Sequence, residues 1–399
     1  MGVRRYALPY LLKERNVIEA LDNTGLQLRS LVKPSGEMEL SLRREAIPTP
    51  GDDEVVIRVQ AAPINPSDLG LLFGPADLTT VRESGTSGES VLTARIPEAA
   101  MADLAGRVGE ALPVGNEGAG VVISAGRSPE AQALLGKTVA TLSGGMYAQY
   151  RCTKAAQCLA LPESVSAVDG ASCFVNPMTA LCFLDVIKRD GHKALVHTAA
   201  ASNLGQILLR VCQKDGVNLI NVVRSQAQGD LLRSMGATYV FNTQSPTFAE
   251  DITRCLAETD ATAVFDAISG GTLGSEILGC IEAAQASKLT SYTRYGSTTY
   301  KHLYIYGNLD TGPIVLERKK LGTSFGLSVF LLTNYLQMIG GEATARLQQR
   351  VLAELKTTFA SHYSREISLT EVLRPDHVIA YTRRSTGEKY LIRPDMDLR

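Results

Sequence analysis

Between Glu37 and Ala160, short Val- and Ile-rich runs are cut by Gly, Pro and Asn: DEVVIRVQAAPIN (53–65), EGAGVVISAG (117–126) and KTVATLSGG (137–145). Runs of this kind predict β-strands and turns, here a β-rich domain built as a partly closed barrel. After Asn176 the rhythm changes. KALVHT (193–198) reads as a buried strand, Asn203 to Lys214 as a helix, NLINVV (218–223) as a strand and Gln228 to Met235 as a helix. TYVF, ATAVFD and HLYIYG read as further strands, with helices around Phe248 to Glu258 and Leu273 to Ala284. Strand–helix alternation demands crossover connections, so this region predicts a parallel, doubly wound sheet, a nucleotide-binding architecture. The stretch Leu321 to Arg399 holds two amphipathic helical patterns and a strand, EKYLI, and is expected to return to the first domain. The domains are therefore expected at 1–175 with 321–399, and at 176–320. Residues 75–112, which include SGTSGES and show no clear period, read as a long connection of the sort that often carries function.

Composition narrows the class. A chain of 399 residues makes about two domains the natural expectation, and 45% hydrophobic with 20% charged residues describes a folded protein. Forty Lys+Arg against 41 Asp+Glu leave a net charge of -1, so no overall field attracts nucleic acid or acidic membrane, and small ligands fit better. No stretch reaches the roughly 18 to 20 apolar residues of a membrane span. MGVRRYALPY has an early positive pair but a broken apolar run, and Tyr6 stands where a myristoylation signal needs Ser or Thr. A cytoplasmic location is expected, and seven dispersed cysteines without a CxxC pair agree with a reducing compartment. The first cysteine is Cys152 and the first histidine His192, so the region before them cannot supply thiolate and imidazole ligands to zinc.

A dinucleotide site needs a tight strand-to-helix turn whose amides approach the pyrophosphate. VHTAAASNLGQ follows a predicted strand and opens a predicted helix, with Ala200, Ser202 and Gly205 at the G-x-G-x-x-G spacing. The alternative is a small-residue packing turn. At the end of the second strand, VVRSQAQ lacks the carboxylate that binds the ribose of NAD. Arg224 can instead pair with a 2′-phosphate, with Ser225 adding a hydroxyl, which favours NADPH; otherwise Arg224 is a solvated surface residue. His197, on an apolar strand, reads as structural.

VVIRVQAAPINPSDL (55–69), PVGNEGAGVV (113–122), VNPMTAL (175–181), ALVHTAAASNLGQ (194–206), SMGATYVFN (234–242) and STGEKYLI (385–392) together resemble the medium-chain dehydrogenase/reductase superfamily, in particular its zinc-free quinone oxidoreductase and enoyl reductase branch. The resemblance implies an α/β chain: a GroES-like, partly closed barrel as catalytic domain and a Rossmann domain. Zinc-dependent members place a cysteine near the NPSD position and a histidine before the Glu of the second motif, where this chain has Asn65 and Asn116. No metal site is therefore expected. Without a Lewis acid, hydride transfer favours electron-poor acceptors such as quinones, enones or enoyl thioesters. Carried over by position, the resemblance puts Asn65, Asp68 and Tyr147 in the catalytic cleft. It gives the cofactor Asn176 and Thr179, which join the residues already read from the doubly wound pattern: Ala200, Ala201, Ser202, Asn203, Leu204 and Gly205 of the turn, Arg224 and Ser225 after the second strand, and Asp266, Tyr306 and Gly307 at later strand ends. It also implies a homodimer. The chain departs from the enoyl-thioester reductases in lacking their tyrosine after the NPxD motif, where LLFGPADLTT stands, and Gln228 occupies the place of the alkenal reductases' lysine. The leading expectation is an NADPH:quinone oxidoreductase; the alternatives are an NADPH-dependent alkenal or enoyl-thioester reductase and a non-catalytic NADPH-binding protein.

Overall fold

In TGLQLRSLV, Leu26, Leu28 and Val32 alternate with more exposed neighbours and are buried, as a half-buried strand requires. They form β1 (Thr24–Val32), which opens the computed structural model; the residues described are 23–85 and 90–398. The N-terminal stretch read above for targeting lies outside them. Contacts divide the chain into two units, Met1–Ser172 with His362–Arg399, and Cys173–Ser361.

The first unit contains β2 (Glu37–Ala46), β3 (Glu54–Pro63), β4 (Asp77–Ser84), β5 (Val91–Arg95), β6 (Ala111–Pro113), β7 (Gly118–Ala125), β8 (Thr138–Thr141), β9 (Tyr150–Lys154) and β10 (Cys158–Ala160), with α1 (Asp68–Leu72) after β3. One sheet runs β4-β5-β2-β1-β6. The other is a seven-stranded sheet in which β10, β8, β7 and β3 are neighbours and β9 also pairs with β3. Where β3 and β7 slip register, Gly120 lies so close to β3 that a Cβ would stand 2.1 Å from the Arg58 carbonyl oxygen. The core gathers Leu28, Leu40, Ile57, Val59, Leu72, Val122 and Val139. The expected long connection at 75–112 is corrected: β4 and β5 pair antiparallel and extend the first sheet. β5 buries Leu92 and Ala94, whereas β4 has no buried position, so it carries no hydrophobic period to read.

The second unit holds α2 (Val175–Arg189), β11 (Ala194–His197), α3 (Asn203–Asp215), β12 (Asn218–Val223), α4 (Gln226–Ser234), β13 (Tyr239–Asn242), α5 (Phe248–Thr259), β14 (Ala263–Asp266), β15 (Ser269–Gly271), α6 (Leu273–Ala286), β16 (Lys301–Ile305), β17 (Asp310–Ile314), β18 (Phe325–Val329) and α7 (Leu332–Ala353). Its main sheet is ordered β13-β12-β11-β14-β16-β18. Every pair in it is parallel. The chain winds outward from β11 to β13 and then crosses back to β14, which makes the β11/β14 border the point where doubly wound sheets bind ligands. Val196, Ile220, Val264, Ile281 and Leu303 form the core.

The expected domain border at 321 is corrected as well. Leu321 is buried in the second unit's core and β18 pairs with β16, so the chain returns to the first unit only at His362. The return adds β19 (Arg365–Ser368), α8 (Pro375–Thr382) and β20 (Tyr390–Arg393). β20 pairs Leu391 and Ile392 with Pro63 and Ala62 of β3.

Candidate functional site

β3 ends at Pro63, and the chain turns through Asn65, Pro66 and Ser67 into α1. The turn is closed by the Asp68 carboxylate, whose Oδ2 accepts from the Asn65 amide at 2.8 Å. Three further bonds lace it to the GNEG segment. The Asn116 amide donates to Asp68 Oδ1 at 2.8 Å, Asn116 Nδ2 donates to Ser67 Oγ at 3.0 Å, and Asn65 Nδ2 donates to Glu117 Oε1 at 2.8 Å. Asn65, Asp68 and Glu117 are all buried. Burial raises the Asp68 pKa from its ordinary 3.8 to about 7, against the amides of Asn65 and Asn116 and the Tyr147 hydroxyl, which favour the carboxylate. Tyr147 is fully buried and donates from its hydroxyl to the Pro63 carbonyl at 3.0 Å. Its ring fills the space a side chain on Gly115 would need: a Cβ there would stand 2.4 Å from Tyr147 Cδ1, and Gly115 has φ +96°. Burial, then the Asp68 charge, push the phenol pKa well up, so Tyr147 stays protonated. A cavity of about 40 Å³, lined by Asn65, Leu69, Tyr381, Arg384, Glu388 and Tyr390 among others, borders this turn.

In the second unit, β11 leads through Thr198 to Ser202 into α3. Ser202 Oγ accepts from the Gly205 amide at 3.1 Å and caps the helix. The amides of Asn203 and Leu204 belong to the first turn, where no helical carbonyl precedes them. Gly205 is pressed onto the turn, since a Cβ would lie 2.0 Å from the Ala200 carbonyl oxygen. Ala200 and Ala201 are buried. At the switch point, Asp266 accepts from Thr198 Oγ1 at 2.6 Å and from the amides of Ile268 and Ser269 at 3.0 and 2.9 Å. Its carboxylate is thus a strut between the ends of β11 and β14. Tyr306 donates its amide to the Asp266 carbonyl at 2.9 Å, and Gly307 packs so closely that a Cβ would meet the Ala267 oxygen at 2.4 Å. His197 is buried, its Nε2 lies 2.6 Å from the Tyr306 hydroxyl, and burial lowers its pKa to about 3, so the imidazole is neutral. Asn176 and Thr179 are buried on α2, where Thr179 Oγ1 donates to the Val175 carbonyl at 2.5 Å.

Just beyond β12, Arg224 is exposed. Its amide donates to Gln228 Oε1 at 3.1 Å, and Ser225 Oγ caps α4 by accepting from the Gln228 amide at 3.3 Å. Among the described residues no ion pair or hydrogen bond engages the Arg224 guanidinium.

Residues 51–163 match the alcohol dehydrogenase GroES-like domain family. The chain is similar to a solved putative NADPH:quinone reductase from Mesorhizobium loti, with 26% identity, a TM-score of 0.69, and 93% of this chain and 98% of that one covered. The fold is that of the medium-chain dehydrogenase/reductase superfamily. Curated relatives agree with it. The mitochondrial enoyl-[acyl-carrier-protein] reductase of Xenopus tropicalis is 25% identical over 69% of this chain and 68% of that protein. The quinone oxidoreductase of Sus scrofa is 24% identical over 64% of this chain and 70% of its own length. Both of these relatives are oxidoreductases by name, and the chain is similar to them over about two thirds of its length.

Within that medium-chain dehydrogenase/reductase frame, the structure brings Asn65, Asp68 and Tyr147 into one buried network, and Ala200 to Gly205, Asp266, Tyr306 and Gly307 around the switch point. Arg224 and Ser225 stand at the next strand's end. Two members of the network escape a reading of the sequence. Glu117 holds the Asn65 carboxamide, and Lys389, just before β20, is buried with no hydrogen-bond partner for its ammonium. A lysine inside the apolar run EKYLI is the signal that could have found it.

Proposed function

We propose that the protein is an NADPH-dependent, zinc-independent reductase that passes a hydride to quinones or other electron-poor acceptors. The observation that carries the cofactor assignment is Arg224, an exposed guanidinium free of ion pairs among the described residues, at the end of β12, with the α3 N-terminus opening beside the switch point. The first-turn amides of α3 would face the pyrophosphate, and Arg224 with Ser225 the 2′-phosphate. NADPH bound there would supply the hydride. The acceptor also needs a proton, and Asp68 is suited to hold it. The Tyr147 hydroxyl, which donates to the Pro63 carbonyl, lies against the Asp68 carboxyl and keeps the acid oriented. Asn65, fixed by Glu117, positions the acceptor. Zinc has no donor set here, because the positions zinc-dependent members use carry Asn65 and Asn116, whose amides are tied to Glu117 and Ser67.

The test is NADPH oxidation across quinones, enones and enoyl thioesters, ranked by kcat/KM. Multiple turnover with at least one class is expected, and absence of turnover with all would leave only an NADPH-binding protein. A preference for thioesters would favour the second reading, an enoyl-thioester reductase, to which the name of the Xenopus relative points. Stoichiometric zinc by elemental analysis would overturn the metal-free reading. We further infer a homodimer through β18, an edge strand with exposed Leu327 and Val329. All seven cysteines are free thiols, which suits the reducing cytoplasm.

A further inference from the structure

Lys389 is the unexplained group of the first unit. Its side chain is buried, and its Nζ has no hydrogen-bond partner, although an ammonium so placed is costly unless charges compensate it. The backbone holds it firmly: its amide donates to Ser364 Oγ at 3.0 Å and its carbonyl accepts from the Ser364 amide at 2.9 Å. Tyr363 presents its ring 5.7 Å from Nζ. The next residue, Tyr390, starts β20, which pairs with β3 immediately ahead of Asn65. The return of the chain thus carries the Lys389 ammonium into the neighbourhood of the two buried carboxylates, Asp68 and Glu117, whose charges both act on it.

We propose that Lys389 is a positioning residue: it balances the charge of the Asp68 and Glu117 pair, so that Asp68 can release its proton to the acceptor and take another from solvent. Release leaves two buried carboxylates. With the ammonium present the group carries one net negative charge, and without it two, which a buried site resists. Other titratable groups face the pair as well. Tyr147 lies against Asp68 and Tyr381 acts on Tyr147, both phenols held protonated by burial, while Tyr363 faces the ammonium. Arg384 and Glu388 line the cavity beside Asn65, and Lys389 is the cation on which the charges of Asp68 and Glu117 act. Burial lowers its pKa to about 8, close to the value of about 7 to which burial raises Asp68, so the ammonium and the carboxyl titrate in the same range and each senses the other's charge.

This inference rests on the proton-donor reading of Asp68, and its test separates the two. The carboxyl stretch of Asp68 is titrated by infrared difference spectroscopy on the full chain without cofactor, assigned by its loss in Asp68→Asn. Lys389→Met is expected to raise the midpoint by about one pH unit or more, and Lys389→Arg to restore it. Glu117→Gln removes the opposite charge and is expected to lower it, which keeps the test open should Lys389→Met fail to fold. Midpoints unmoved in folded Lys389→Met and Glu117→Gln overturn the proposal. If the midpoint moves and the kcat/KM profile moves with it, both readings stand. If the midpoint moves while the profile does not, Lys389 still sets the charge balance and the catalytic role of Asp68 falls.

Discussion

Asp68 illustrates how one carboxyl can serve structure and chemistry together. It closes the NPSD turn through two amides, yet burial keeps its proton near neutral pH. Folded Asp68 retains a proton that the unfolded chain has lost above its ordinary value, so this group's favourable contribution is full below about pH 4 and is lost as pH rises through about 7. Thermal melts should therefore show wild type losing stability relative to Asp68→Asn across that window; parallel curves would contradict the assignment. The same variant should lower kcat by about 100-fold or more if Asp68 holds the reaction's proton. For Arg224→Ala, NADPH affinity should fall about tenfold, roughly 1.4 kcal/mol, with NADH affinity unchanged by calorimetry. Asn65 and Asp68 could be singled out in the sequence because their positions repeat a family pattern, and Arg224 because it stands at the end of the second strand where a carboxylate would bind the ribose of NAD. Glu117 and Lys389 were not, since Glu117 gains its meaning only by holding the Asn65 carboxamide, and Lys389, though marked by its place in an apolar run, only when β20 lies beside β3.

At the scale of elements, β11 to β14, β16 and the helices α3 to α6 were legible within a few residues, because buried parallel strands are continuous apolar runs and their helices are amphipathic, whereas α2, β15 and β17 were not read. β4 was not, since it has no buried position and gains its partner only from β5. β18 was missed for a related reason: FGLSV is an edge strand whose fate is decided by pairing with β16. The turn before α3 gives a graded prediction. Ser202→Ala should cost about 1 kcal/mol in denaturant unfolding through loss of the cap. Gly205→Val, whose Cβ alone would overlap the Ala200 carbonyl, should cost considerably more and weaken NADPH binding with it. For β18, Leu327→Lys with Val329→Lys should convert a dimer to a monomer by light scattering while leaving circular dichroism unchanged.

For the molecule as a whole, the two-domain division was legible but its second border was not, because the change of rhythm at Asn176 is abrupt whereas nothing local marks His362. The first unit draws Ile367, Leu373, Val378, Tyr390 and Ile392 from the returning segment into its core. A chain truncated after Ser361 should therefore lose the first unit's unfolding transition, with the second unit's retained in calorimetry. The pairing of Ala62 with Ile392 also has a consequence for the chain's history during synthesis. The strands β1 to β10 are translated first, yet β20 can join β3 only after the whole of the second unit has emerged. The nascent first unit must wait with the β20 edge of β3 uncovered, a strand edge of the kind that chaperones shield and that recruits wrong partners.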